Sequence, residues 1–563
     1  MIKIIKNVWK LLTIKRKYQS LLIICLTTFV AFTEILLLFS FMLMIDNIVS
    51  PEKTNFYNVF KEYLIHLPNL DFKNNNFLFS IFIFFVLITG LLRLFLLWAT
   101  IRFAFISSSD FAKNIFFNTI NQPLKYHLNN SSNEILSGLT KKIQLLCVEV
   151  ILPTIILISN FLIITFICFF ISLMIGPQNI LIIILIIIAT YLFIWKYSKK
   201  IINNNSLIIA RNSDELVKFI NESYSIIRLI LLKNLQIIFS PLFDKINRKL
   251  KIAESTNLFI AQGTRILIET LFIFSFTIAV FVGLKNSEIS IILPIIGTLA
   301  LSTLRLLPIT QKVYQSYITI RSSYHSFFDI LKYLDLDNKP NSVYKKKIIN
   351  FKKTIQLKNV SFSYDNEKNV FNNLNLSFEK GKVSLIKGKT GSGKSTLISI
   401  LMGLLVPETG NLLVDNKIIN EKNIKSWQNM ISYMPQDSII LDKSLIENII
   451  FFETQILEQT EIIKKLKIFN LEKFIDQYLY NSKNNLGEFG KNLSGGEKQR
   501  INFLRTLVEE KSILVLDEPS SSLDVKTTNK IFYYLKNNYK NLTIIVISHD
   551  PEIIKFADKV IKI

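Results

Sequence analysis

Residues 388–396 read GKTGSGKST and follow the strand-like run KVSLI, the setting in which a glycine-rich loop can wrap a phosphate. Gly388, Gly391 and Gly393 let backbone N–H groups close around phosphate oxygens, and Lys389, Thr390 and Ser392 complete the loop. Lys394 is spaced to reach the outer phosphates, Ser395 to offer a hydroxyl to magnesium, and Thr396 to enter a helix whose positive end points at the loop. A second chemical element is ILVLDEP at 513–519, an apolar strand that ends in two acids. Asp517 is placed to hold a magnesium shell and Glu518 to polarise an attacking water. Without a phosphate loop nearby, the same acids would merely cap the next helix.

These residues need a rigid frame, and the sequence supplies one. Short β-branched runs such as KVSLIKG, ILVLDE and LTIIVISHD alternate with helical stretches over 354–563, which predicts an α/β unit with a mainly parallel sheet. The polar stretch 336–353 reads as a linker from a first domain spanning 1–335.

The run NLSGGEKQR at 492–500 adds a resemblance, because LSGGE is close to the signature of the ATP-binding cassette transporters. The soluble half is similar to that family in order: Tyr364 in SFSY, the phosphate loop, Gln436 in YMPQD, the signature, ILVLDE, Asp524 in SSLD and His549 in ISHD. The resemblance implies ATP and Mg2+ as cofactors. It makes Tyr364 the adenine-stacking aromatic, sets Gln436 with Ser395 and Asp517 at the metal, and joins His549 and Gln436 to Glu518 in catalysis. Asp524 and Glu497 fall on nucleotide-site positions. In that family two cassettes face head to tail, so Ser494, Gly495 and Gly496 act on the partner's nucleotide; a serine hydroxyl and glycine amides at a helix start do form a neutral anion nest. One membrane half and one cassette per chain imply a homodimer, with both sites intact because Glu518 and His549 are present.

Ahead of the cassette lie six apolar runs, at about 20–46, 77–105, 149–175, 179–198, 257–284 and 288–314, each near the roughly 20 residues that cross a bilayer. Runs such as ILIIILIIIATYLFIW are apolar all round, which a soluble amphipathic helix is not. The expected fold is therefore a polytopic α-helical membrane domain of six spans, similar to type I ABC exporters, followed by an α/β P-loop ATPase domain. The first tail carries lysines and no acid, and the segments 106–148 and 199–256 are lysine-rich, so both termini are expected on the cytoplasmic side of the inner membrane. That distribution also accounts for the net charge of +24 by attraction to anionic lipid, without nucleic acid. Cys25, Cys147 and Cys168 lie in or beside apolar runs and read as small buried hydrophobes. Phe56, Phe60, Tyr63, Leu64 and Leu67 suggest a short amphipathic helix within 51–70.

SSNEILSGLT at 131–140, NESYSIIRLILLKN at 221–234 and the GE-x-G turn in NLGEFGKNLSGGE resemble the exporter branch, although DEPSSSLD and SHDPE are forms more familiar from importers. Arg265 with Glu269, RLLP at 305–308, Glu34 and Arg93 resemble the lipid-linked oligosaccharide flippases. Arg93, Arg305 and Arg265 lie roughly 16, 17 and 19 residues from the outer ends of their spans, hence about 24 to 29 Å deep at 1.5 Å per residue. Pairing of Arg265 with Glu269 and of Arg93 with Glu34 leaves Arg305 with no evident acid. A layer of arginines suits the phosphate head of an anionic lipid. The expected function is ATP-driven flipping of a lipid-linked saccharide or similar glycolipid from the cytoplasmic to the outer leaflet. Export of peptides or hydrophobic drugs is the alternative, and an ATP-gated channel is disfavoured by Glu518.

Overall fold

The computed structural model describes residues 2–49, 75–130, 142–175, 177–286, 289–334, 348–364, 369–451, 459–475 and 485–563. The interfacial helix expected within 51–70, the stretch 131–140 and most of the linker lie outside them. The chain divides into two compact units, Met1–Gln122 with Asn130–Asn338, and Pro123–Asn129 with Lys339–Ile563.

In the first unit α1 (Ile2–Leu11) precedes α2 (Ile14–Val49) and α3 (Asn75–Ile120). After α4 (Leu124–Asn129), which groups with the second unit, come α5 (Leu152–Ile175), α6 (Pro177–Ser225), α7 (Ile227–Leu232), α8 (Gln236–Asn286), α9 (Ile289–Ser322) and α10 (Tyr324–Leu334). Among the described residues, Ile14–Val49, Asn75–Ile120 and Ile143–Leu173 are long and apolar enough to cross a membrane. The other expected spans fall inside α6, α8 and α9. Helix α6, with 49 residues, is about 74 Å long, more than twice a hydrocarbon core of about 30 Å, so much of it must leave the bilayer.

Side-chain burial is inverted on α3. Ile83, Leu87, Leu91, Leu94 and Trp98 recur every three or four residues and are exposed, forming a stripe that water would penalise and lipid would not. Cys25 is likewise exposed on α2, which corrects its expected burial; only Cys147 is buried among the three. The basic tail also holds more structure than its charge suggested. Ile4, Val8 and Leu12, spaced four apart, are buried and join the core that contains Phe327 and Ile330 of α10, while Lys3, Lys6 and Lys10 stay exposed.

The second unit has two sheets. Strands β1 (Thr354–Ser363), β2 (Asn369–Glu379), β4 (Thr409–Val414) and β5 (Lys417–Ile418) form an antiparallel sheet in the order β2-β1-β4-β5. Strands β3 (Val383–Lys387), β6 (Ile431–Met434), β7 (Ile513–Asp517), β8 (Thr543–Ile547) and β9 (Lys559–Lys562) form a parallel one in the order β6-β7-β8-β3-β9. Alternation along β7 serves two cores. Leu514 and Leu516 pack with Phe503 and Leu504, whereas Ile513 and Val515 pack with Leu397, Ile398 and Trp427. Leu124 of α4 packs against the second of these.

Asp415, in the β4–β5 turn, fastens the chain where it enters β1, accepting backbone N–H bonds from Lys352, Lys353 and Thr354. Burial alone would raise this carboxyl, but those N–H groups and Lys353 hold it below its ordinary value. A depressed carboxylate contributes stability above its unfolded pKa and loses it as pH falls through the lower, folded value. Asp415→Asn should therefore lower the melting midpoint at pH 7, and the gap from wild type should begin to narrow only as pH falls below about 4, the ordinary carboxylate range, toward the depressed native value. Thermal melts of both proteins across pH 3 to 7 measure this, and a constant gap across that range contradicts it.

Candidate nucleotide site

Strands apolar on both faces leave their carboxyl ends as the place for polar groups, and in a parallel sheet those ends share one edge. The loop Gly388–Gly393 leaves β3, Gln436 follows β6, Asp517 ends β7, and His549 follows β8. The sheet order places all four strands side by side.

The loop leads into α11 (Lys394–Leu401), whose first turn bears Ser395 and Thr396. Gly393 has φ 91, and a β-carbon there would lie 2.6 Å from Val370 Cγ1 and 2.8 Å from Phe371 Cζ, so no side chain fits. Lys394 Nζ donates to the carbonyls of Gly388 at 2.8 Å and Lys389 at 3.1 Å, and lies 3.2 Å from His549 Nε2. His549 Nε2 in turn lies 3.8 Å from Glu518 Oε1. The structure thus brings together three of the motif residues from separate strands. Lys389, Thr390, Gly391, Ser395 and Gln436 are exposed on this edge, while the Tyr364 hydroxyl bonds Thr396 Oγ1 at 2.9 Å.

Two local features suit phosphate and magnesium. Ser392 Oγ is buried in the loop without a hydrogen-bond partner, a donor that a phosphate oxygen would satisfy. Burial, reinforced by Glu518, pushes the Asp517 carboxyl above its ordinary value despite Lys394. Two adjacent acids at a buried strand end repel one another, and a divalent cation relieves that repulsion. Asp517, Ser395 and Gln436 would hold such an ion, whose chemistry is to neutralise charge on phosphate oxygens.

The signature stands at the start of another helix, α12 (Ile424–Gln428) and α13 (Leu445–Ile450) intervening before α14 (Gln459–Ile468) and α15 (Gly495–Val508). Ser494 caps α15, its Oγ accepting from Glu497 N, while Glu497 Oε2 accepts from Ser494 N at 2.7 Å. Glu497 also pairs with Lys473, which sequence reasoning missed; an acid beside an anion nest calls for a cation, but spacing could not reveal which one. Gly495 and Gly496 leave their amides at the helix start. Among the described residues, no hydrogen bond joins Ser494–Gly496 to the phosphate loop of the same chain. Asp524 accepts from Thr527 N at 3.0 Å and caps α16 (Val525–Asn538), so its carboxylate is engaged there.

In the first unit the intramembrane charges are arranged differently from expectation. Glu34, fully buried on α2, pairs with Arg93 of α3 and also lies 3.8 Å from Nη1 of Arg305 on α9. Arg305 therefore has an acidic partner, which overturns the reading of it as a lone cation. The acid lies far away in sequence and on another helix, and for that reason spacing hid it. Two guanidinium groups share one carboxylate, leaving the cluster at +1. Arg265 pairs with Glu269 at 3.5 Å on α8, with both side chains about half exposed.

Residues 371–521 match the ABC transporter family, and residues 20–303, about half of the chain, match the ABC transporter transmembrane region. The alpha-hemolysin translocation ATP-binding protein HlyB of Escherichia coli O157:H7 is 35% identical over 208 residues, 37% of this chain and 29% of that protein. A putative export ATP-binding/permease protein of Rickettsia felis is 34% identical over 212 residues, 37% of each chain. The matched part of this chain thus spans about a third of the length of these relatives. The solved structure of a bacterial Atm1-family ABC exporter with ATP bound superposes with a TM-score of 0.78, covering 98% of this chain and 93% of that one, at 18% identity, which shows a shared fold.

The shared carboxylate yields a test. Glu34→Gln leaves Arg93 and Arg305 facing each other without their acid, whereas Arg305→Ala leaves the Glu34–Arg93 pair intact. Glu34→Gln should cost more stability, about 1 to 3 kcal/mol after allowance for the partial exposure of both arginines. Thermal unfolding of the detergent-solubilised variants checks the order, and equal or reversed losses contradict it.

Proposed function

The chain belongs to the ABC transporters, and on that premise we propose that it is an ATP-driven exporter. Two copies form the working unit in the inner membrane with both termini cytoplasmic, and together they carry an anionic lipid-linked saccharide or similar glycolipid to the outer leaflet. The observation that carries the ATPase reading is the convergence of Lys394, Glu518 and His549 at the carboxyl edge of the sheet, the last two joined at 3.8 Å. In this reading Lys394 and the loop amides hold the β and γ phosphates, and Tyr364 stacks on adenine. Glu518 takes the proton of a water that attacks the γ phosphorus as the bond to ADP breaks. His549 steadies the same phosphate, and Ser494, Gly495 and Gly496 of the partner subunit close the site from the facing side.

The substrate class rests on charge. Arginine inside a bilayer costs about 2.5 to 3.5 kcal/mol even on insertion scales, and one carboxylate compensates only one of the two arginines at Glu34. The surplus positive charge, with Arg93 and Arg305 each retaining 25–34% side-chain exposure, supports reception of a phosphate head group by bidentate guanidinium contacts. Arg265 sits in a self-neutralised pair and contributes less to that layer. A cargo without a charged head, as for a hydrophobic-drug exporter, gains nothing from the cluster.

ATPase stimulation in nanodiscs separates these readings. A pyrophosphate-linked lipid should stimulate the wild type more than a neutral lipid of equal chain length. Arg305→Ala, which leaves only the neutral Glu34–Arg93 pair, should raise the half-maximal lipid concentration roughly tenfold or more, and Arg305→Lys should recover part of it. Equal stimulation by both lipids, in wild type and variant alike, points to a peptide or drug exporter.

A further inference from the structure

The backbone of Glu518 is bent into the left-handed region, with φ 47, where a side chain other than glycine is strained. Strain of this kind persists only where neighbours over-determine it. The Glu518 N–H is held by the Ile547 carbonyl at 2.9 Å. The Glu518 carbonyl is held by a side chain from elsewhere: Gln499 Nε2, on α15 just past the signature glycines, donates to it at 3.1 Å. The same amide nitrogen donates to Ser521 Oγ at 3.0 Å, and Gln499 Oε1 accepts from Ser522 N at 2.8 Å. Gln499 is 1% exposed, so these bonds form without competition from water. The signature glycines press on the same segment, since a β-carbon on Gly496 would lie 2.9 Å from the Ser522 carbonyl.

We propose that Gln499 is a positioning residue that fixes the backbone of Glu518 and so aims its carboxylate, tying the segment Glu518–Ser522 to the start of the signature helix as one rigid piece. The proposal rests on Glu518 as the base of ATP hydrolysis. It adds a mechanical consequence: displacement of Ser494–Gly496 by a facing phosphate is passed through one amide to the base of the same chain.

Gln499→Glu isolates the contact. Its carboxylate still accepts from Ser522 N and Ser521 Oγ but cannot donate to the Glu518 carbonyl, whereas a protonated carboxyl can. The full-length dimer in nanodiscs should show a kcat about tenfold lower at pH 8, with ATP affinity within about twofold of wild type. Because position 499 is 1% exposed, burial should hold the introduced carboxyl well above the ordinary glutamate range, so the deficit relative to wild type should shrink as the pH is lowered to 6. Gln499→Met, of similar volume, should show the kcat loss at both pH values, and it keeps the test available if Gln499→Glu folds poorly. Wild-type kcat in Gln499→Met overturns the proposal, as does a Gln499→Glu deficit that is independent of pH. Glu518→Gln measured alongside distinguishes the levels: if it is inactive while the Gln499 variants run at full rate, only this inference fails, whereas near-normal hydrolysis by Glu518→Gln removes the base and this inference together.

Discussion

A parallel sheet buried on both faces can present polar chemistry only at its edges, and that constraint organises the second unit. Val383–Lys387, Ile513–Asp517 and Thr543–Ile547 are buried almost throughout, because helices cover each side. Each strand can change character only after its last apolar residue. The glycine loop, the acid pair and His549 all begin there, and their convergence follows from strand order rather than from any local attraction among them. The desolvated Asp517 shows the cost of this placement, since burial raises its carboxyl until a cation arrives to balance it.

The first unit faces the opposite problem. Its surface is apolar along α3 while one acid, Glu34, is buried within it, so the Arg93–Glu34–Arg305 cluster crosslinks three helices where a nonpolar core would have sufficed. Buried ion clusters are poor sources of stability compared with packed hydrocarbon, and their presence calls for another role. The surplus charge gives the proposed anionic cargo that role. The Lys142–Asp214 pair, 2.9 Å apart between the start of the third span and α6, is by contrast neutral.

Much of the second unit was legible because its chemistry imposes spacing. A loop that must surround a phosphate fixes where its glycines and lysine fall, and strands covered on both faces read as unbroken apolar runs. What spacing does not encode was missed. Glu34 and Arg305 meet through helix packing between distant segments, and Lys473 meets Glu497 the same way. The first helix was concealed because lysines on its exposed face dominate its composition, though Ile4, Val8 and Leu12 carry the periodicity. Gln499 lies inside a recognised motif yet acts on a strand end far along the chain, which no local pattern announces. Exposure of Cys25 escaped because a span apolar all round does not say which face meets lipid.

The central claim is that each nucleotide is held between two chains, and disulfide trapping tests it most directly. Cys25, Cys147 and Cys168 would be replaced, Glu518→Gln introduced to slow turnover, and Ser392→Cys placed on one chain with Ser494→Cys on the other. The account predicts a cross-link between chains that forms with ATP and Mg2+ and is weak without them. No ATP-dependent product between chains, or cross-linking confined to single chains that carry both cysteines, would contradict it.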